Sequence, residues 1–234
     1  MHSGEDACKS KAMREMFGAI SRRYDLLNRL MTFGRDRSWR RTVAREAALH
    51  GGEKHLDVGA GTGGIAREAL RLNPDLDVVA ADVTLNMMAE GRQRPGAEKI
   101  RWCQADALNL PFQDAAFHAV TSGYLIRNVP DAKRAFEEQV RVVKPGGRVV
   151  CLDTSPPPRT LLRPLIILYF KWVIPLLGQW IGGSRAAYRY LPESTRRFMG
   201  PERLAEIMEK AGLRDVGLRR FMFGTQVVLT GRRP

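Results

Sequence analysis

The segment HLDVGAGTGG, residues 55–64, constrains this chain more than any other. A β-type run, KHLDV at 54–58, leads directly into Gly59, Gly61 and Gly64, a GxGxxG spacing that opens a helix-like stretch over 64–72. A strand that turns sharply through glycines into a helix is the first unit of a βαβ fold, where a ligand can approach the backbone closely. The alternation then repeats. Residues 77–81, 100–104, 117–122 and 148–153 read as strands, while 85–92 and 131–143 read as helices. A final helix over 201–211 stops at Gly212, and two β-type runs follow at 213–221 and 225–231. Their short connection allows only antiparallel pairing. The expected fold is α/β: a Rossmann-like, doubly wound, seven-stranded sheet, mostly parallel with one antiparallel strand, carrying its ligand at the carboxyl ends of the strands.

The acids near the loop indicate the ligand's charge. A dinucleotide pyrophosphate would sit on the helix N-terminus and be repelled by Asp57, two residues before Gly59. A ligand with an ammonium and a sulfonium but no phosphate is favoured there, which describes S-adenosylmethionine (SAM). Asp57 is expected to hold its amino-acid end, directly or through water, with Gly59 and Gly61 giving close backbone approach and Thr62 a hydroxyl. Asp82, followed by Val83, ends the second strand where a carboxylate can take both ribose hydroxyls. Asp106, followed by Ala107, ends the third, facing the adenine amino group, and Ser122-Gly123 closes the fourth. Any one of these acids can equally be a helix N-cap; three at successive strand ends make a site. This run resembles the class I SAM-dependent methyltransferases.

Composition divides the chain. Of its 234 residues 38 are Lys or Arg and 25 are Asp or Glu, a net charge of +13 that by itself points to nucleic acid, an anionic membrane or an acidic substrate. Residues 1–50 carry 11 basic and 6 acidic side chains, 51–154 carry 13 and 14, and 155–234 carry 14 and 5. A neutral centre thus lies between basic flanks. The expected organisation is a helical substrate or lid segment over 1–50, a SAM-binding core over 51–154, an apolar helical insertion over 155–200, and a C-terminal helix with β-hairpin over 201–234. Three widely spaced cysteines and four scattered histidines suggest neither a disulfide framework nor a metal site, and no metal is expected. The N-terminal residues lack the apolar run of a secretion signal, so a cytoplasmic protein is expected. PLIILYFKWVIPLLGQWIGG, residues 164–183, approaches bilayer-spanning length, but Lys171 and Pro175 within it favour a buried or interfacial helix pair.

Three further blocks narrow the resemblance. MFGAISRRYDLLNRLMTFGRDRSWRR (16–41), IRNVPD with RVVKPGG (126–147), and AAYRYLPESTRRF (186–198) together resemble the ubiquinone/menaquinone biosynthesis C-methyltransferases, most of all those acting on demethylmenaquinone, from about Met16 to Gly231. The Asn/Asp-Pro-Pro-aromatic motif usual after the fourth strand in methylases of nucleic-acid bases is absent, which weakens a nucleic-acid reading. One departure stands out. The family usually has Phe-Gly-Leu-Arg-Asn where this chain has Tyr124-Leu125-Ile126-Arg127-Asn128, and Leu125 narrows the space beside the methyl donor.

The resemblance implies SAM-dependent methylation of a ring carbon on a prenylated benzoquinol or naphthoquinol, with demethylmenaquinol favoured. Arg127 is expected to stabilise the developing phenolate and Asn128 to orient the hydroxyl, while Asp25 or a water takes the proton. Tyr24, Tyr188 and Tyr190 are candidate substrate-pocket residues. Such a substrate resides in lipid, so Leu165, Ile166, Phe170, Trp172, Ile174, Leu177 and Trp180, flanked by Arg159, Arg163, Lys171 and Arg185, are expected to form a lid that cations anchor to an anionic membrane surface. The same helices packed over the site without touching lipid are the alternative. A homodimer is left open and no nucleic-acid partner is expected. Two other functions are compatible with the sequence: a methyltransferase for RNA or a diffusible small molecule, and a non-catalytic SAM-fold scaffold.

Overall fold

A computed structural model describes residues 3–177, 194–195 and 198–234. Two helices, α1 (Ser3–Met31) and α2 (Asp36–Glu46), precede the alternating core: β1 (Lys54–Val58), α3 (Gly64–Leu72), β2 (Asp77–Asp82), α4 (Leu85–Arg92), β3 (Arg101–Gln104), β4 (Phe117–Gly123), a 3-10 turn (Ile126–Asn128), α5 (Ala132–Val142) and β5 (Val143–Thr154). A helical stretch follows as α6 (Arg163–Leu168), a π turn (Tyr169–Val173) and α7 (Ile174–Leu177). The chain closes with α8 (Pro201–Lys210), β6 (Arg214–Phe221), a 3-10 turn (Met222–Gly224) and β7 (Gln226–Arg232). The strands form one sheet in the order β3-β2-β1-β4-β5-β7-β6. Only β7 runs antiparallel, pairing so with both β5 and β6.

Period-two alternation sends neighbouring residues of each inner strand to opposite faces, and both faces are covered. Val120, Val149 and Cys151 pack with Phe136 of α5 and Leu204 and Met208 of α8. Ala119, Val150 and Leu152 pack on the other side with Trp39 and Val43 of α2 and Ile65 of α3. With both faces occupied, the carboxyl edge is where the inner strands open to ligand. The register brings those ends level: Val58 pairs with Ala81 and Ser122, Asp82 with Gln104, and Gly123 with Leu152.

Two expectations need correction. The helical segment expected over 1–50 ends short, with α2 stopping at Glu46, because Ala48 turns to a positive φ of 50° and its amide bonds back to the Arg45 carbonyl. The fifth strand starts at Val143 rather than Arg148, with Lys144–Gly147 forming a bulge between two registers on β4. A Cβ on Gly147 would lie 2.5 Å from the His118 carbonyl oxygen, so this close crossing requires glycine. Pro175 lies within the apolar helical stretch, where the π turn immediately before it absorbs the missing amide donor. The second part of the expected helix pair, residues 178–193, lies outside the described residues. No described helix is long and apolar enough to cross a membrane.

Gly91 of α4 shows how tightly the glycine loop is backed. A Cβ there would meet the Trp102 ring and lie 3.0 Å from the Thr62 carbonyl. Gly91→Ala should destabilise the fold by about 1–3 kcal/mol through overpacking, read as a lower urea midpoint; an unchanged midpoint would show that Trp102 yields freely.

Candidate active site

Gly59, Gly61 and Gly63 all take positive φ, at 65°, 56° and 73°. These alternating left-handed residues reverse the chain from β1 into α3, and other residues would be strained there. Carboxylates hold the loop from two sides. Asp57, 1% exposed, accepts the Ala66 amide of α3 at 3.1 Å and the Thr121 hydroxyl of β4 at 3.0 Å. Asp82 accepts the Gly61 amide on one oxygen and the Thr84 amide on the other, both at 2.7 Å. Burial raises the pKa of both, that of Asp57 to about 7. Beneath Asp57 the Nε2 of His55 lies 2.8 Å from the Thr121 oxygen. Because that hydroxyl donates to Asp57, His55 must donate to it; desolvation lowers the imidazole to about 4 and keeps it neutral.

Two cavities meet along this loop. The larger, about 190 Å³, is lined by Gly59, Gly61, Asp82, Val83, Asp106, Ala107 and Gly123, with Tyr24 and Asn128 on the opposite wall. The smaller, about 30 Å³, is lined by Asp57, Thr62 and Arg40, and shares Tyr24, Gly59, Gly61, Gly123 and Tyr124 with the first. Asp106 also accepts the Leu108 amide at 2.9 Å, which fixes its turn. The groove therefore offers acids at the ends of β1, β2 and just past β3, bare backbone in its middle, and one buried guanidinium. Leu125 enters the larger cavity and presses on Gly59: a Cβ there would lie 2.8 Å from the leucine Cδ1. Among the described residues no cluster of His, Cys, Asp or Glu could hold a metal.

Several expected site residues stand elsewhere. Asp25 lines neither cavity. It accepts the Thr62 hydroxyl at 2.9 Å and lies 3.6–3.8 Å from Arg40, Arg67 and Arg94, so it knots α1 to the glycine loop. Thr62 thus spends its hydroxyl on Asp25. Ser122 is fully buried beside Cys151 and does not face the groove. Arg127 donates to Asp153 at 2.8 Å, with side chains 5% and 0% exposed, and borders a third cavity. The Asn128 amide donates to the Tyr124 carbonyl at 2.8 Å. Tyr188 and Tyr190 lie outside the described residues, as do Trp180 and Arg185. His118 is half-buried at the far end of β4, accepting the Lys54 amide, remote from the groove.

Two residues were missed. Arg40 sits in a WRR run that reads as a solvated helix face, and only the fold shows it 12% exposed and pressed against Gly64. Tyr124 borders all three cavities at a strained φ of 59°, fixed by its amide bond to the Leu152 carbonyl and by the Arg127 guanidinium 4.9 Å from its ring. Its position directly after a strand carries no signal of that conformation.

Comparison with known proteins agrees with this geometry. The model of the ubiE/COQ5 methyltransferase family matches residues 5–233. The chain is 45% identical over 217 residues to the ubiquinone/menaquinone biosynthesis C-methyltransferase UbiE of Desulfotalea psychrophila, covering 93% of this chain and 88% of the relative. It is 43% identical over 213 residues to the demethylmenaquinone methyltransferase of Deinococcus radiodurans, with 90% and 88% covered. The fold matches Haemonchus contortus phosphoethanolamine N-methyltransferase 2 in complex with SAM, at a TM-score of 0.60 and 19% identity over 81% of this chain and 50% of that one. The sheet order is that of the class I SAM-dependent methyltransferases, and the chain is an enzyme of that kind. Since the likeness runs through both flanks as well as the SAM-binding core, the chain belongs to the ubiE/COQ5 methyltransferase family.

Proposed function

We propose that this enzyme C-methylates the ring of a prenylated quinol, converting demethylmenaquinol to menaquinol at a membrane surface. The observation that carries the reaction is family membership over nearly the whole chain, with relatives named for demethylmenaquinone. The groove fits the methyl donor. Asp82 suits the ribose hydroxyls, Asp106 the adenine amino group, Asp57 the ammonium and Arg40 the carboxylate, while Gly59 and Gly61 leave room for close approach. When bound, SAM supplies an electrophilic methyl on a sulfonium.

The chain's own residues do the rest. Arg127 keeps its positive charge and faces the neighbouring cavity, where it favours a quinol oxygen in its ionised form. Burial excludes water and strengthens that attraction. With Asp25 engaged by three arginines, the proton leaves through water. With SAM carrying a labelled methyl, the purified enzyme should label the ring of reduced demethylmenaquinone. Arg127→Lys, which preserves the charge opposite Asp153, should lower kcat about 100-fold with SAM affinity unchanged. Labelling of RNA and not of the quinol would favour an RNA methyltransferase instead.

Membrane contact rests on the outer face of the apolar helical stretch. Phe170 and Ile174 turn inward, while Leu165, Leu168, Trp172 and Leu176 are 51–64% exposed at spacings of three and four. Phe33, 72% exposed, stacks on Tyr169 and extends the same face. Arg159, Arg163 and Lys171 are exposed around it, and residues 155–192 contain no acid. An apolar stripe with a cationic rim suits an interfacial helix on anionic lipid. The placement of the described residues supports reading 1–50 as a helical substrate or lid segment and 155–200 as an apolar, membrane-facing insertion beside the 51–154 core. Binding to phosphatidylglycerol vesicles should fall with salt and vanish in Leu168→Asp/Trp172→Asp while SAM affinity persists; equal co-sedimentation of that variant would place the contact elsewhere.

A further inference from the structure

A third cavity, about 80 Å³, lies between α1, the helical stretch 163–177 and the adjoining ends of β5 and β7. Most of its polar lining is internally satisfied. The Tyr169 hydroxyl donates to the Met31 carbonyl, Thr32 to the Asn28 carbonyl, Thr195 to the Thr154 hydroxyl, and Thr225 to the Met222 carbonyl. Three buried atoms are not: Nδ2 of Asn28, Nε of Arg127 and Oε1 of Gln226 have no hydrogen-bond partner. All three residues line this one cavity, and Arg127 and Gln226 are more than nine-tenths buried. Buried polar atoms are nearly always paired, so three orphans around one space mark a place where something binds.

Their chemistry defines the ligand. Asn28 and Arg127 present N–H donors, the second carrying positive charge, and Gln226 presents an acceptor. Phe170 and Ile174 supply an apolar roof, the inner side of the helices whose outer face is proposed to meet lipid. A hydroquinone ring matches this set: one oxygen, ionised or becoming so, accepts from Arg127 and Asn28, and the other hydroxyl donates to Gln226. Tyr124 borders this cavity and the SAM groove alike, so a ring held here abuts the wall of the donor site.

We propose that this cavity is the quinol-ring subsite and that Asn28 and Gln226, with the Nε of Arg127, position the ring through its oxygens. This rests on the reading of the substrate as a quinol, and ring binding can be measured without turnover. The probe is 2-geranyl-1,4-naphthoquinone, titrated in its reduced and oxidised forms against wild type, Asn28→Leu and Gln226→Met. Only the reduced ring can donate to Gln226. Gln226→Met should therefore weaken the reduced form about tenfold and leave the oxidised form little changed, whereas Asn28→Leu should weaken both. SAM affinity should stay at the wild-type value in both variants, which reports an intact fold. Wild-type affinity of both variants for both forms would show that the three atoms bind water alone and overturn the proposal. Equal loss of SAM and quinone binding would overturn it too, by making the two residues structural. Quinol turnover in wild type and variants alike would sink the subsite and leave the function standing; ring binding with the expected pattern but no methylation would do the reverse.

Discussion

Asp57 has almost no contact with water yet carries an ionisable carboxyl, and three elements are arranged around it. Its oxygens are met by α3 through the Ala66 amide and by β4 through Thr121, whose oxygen is supported in turn by His55. These bonds fix where β1 ends and α3 begins, and therefore the path of the glycine loop. Burial nevertheless pushes the carboxyl up to about 7 despite these bonds and the Arg40 guanidinium in the adjoining cavity, so a further cation arriving there would favour its charged form. A pyrophosphate would face the opposite situation. On the proposed reading, the preference for a cationic, phosphate-free donor lies in this strand end.

The N-terminal helices complete that site. Asp25 from α1 reaches Thr62 in the loop and arginines from α2, α3 and the segment after α4, and Arg40 from α2 reaches the smaller cavity. The same α1 helix supplies Asn28 to the third cavity. One helix therefore borders both the donor groove and the proposed ring pocket, with Tyr124 between them. The charge distribution follows the same division: the strands that carry the SAM groove lie in the near-neutral centre, and the cations lie in the flanks.

The sheet was legible because strands and helices alternate with different hydrophobic periods, and the glycine spacing marked one crossover without ambiguity. β1, α3 and α4 fall where their sequence places them. The groove acids were legible because each lies at or just past the carboxyl end of a strand. Residues acting from outside the core were not. Asp25 reads in the sequence as a candidate proton acceptor, and only the converging arginines reveal its structural bond. Arg40 is masked by neighbouring cations, Gln226 by an apolar strand, and Ser122 follows the strand rule yet points inward. Local pattern fixes which element a residue joins; the direction of its side chain depends on partners distant in sequence.

Proton release on SAM binding tests the central claim, that Asp57 is a buried carboxyl awaiting a cation. At pH 6 it is mostly protonated, with its pKa near 7, while the ammonium of SAM is already fully charged. Calorimetry at pH 6 in two buffers of different ionisation enthalpy should show release of about one proton per SAM bound by wild type and none by Asp57→Asn. Binding without proton release in wild type, or equal release by the variant, would contradict the account.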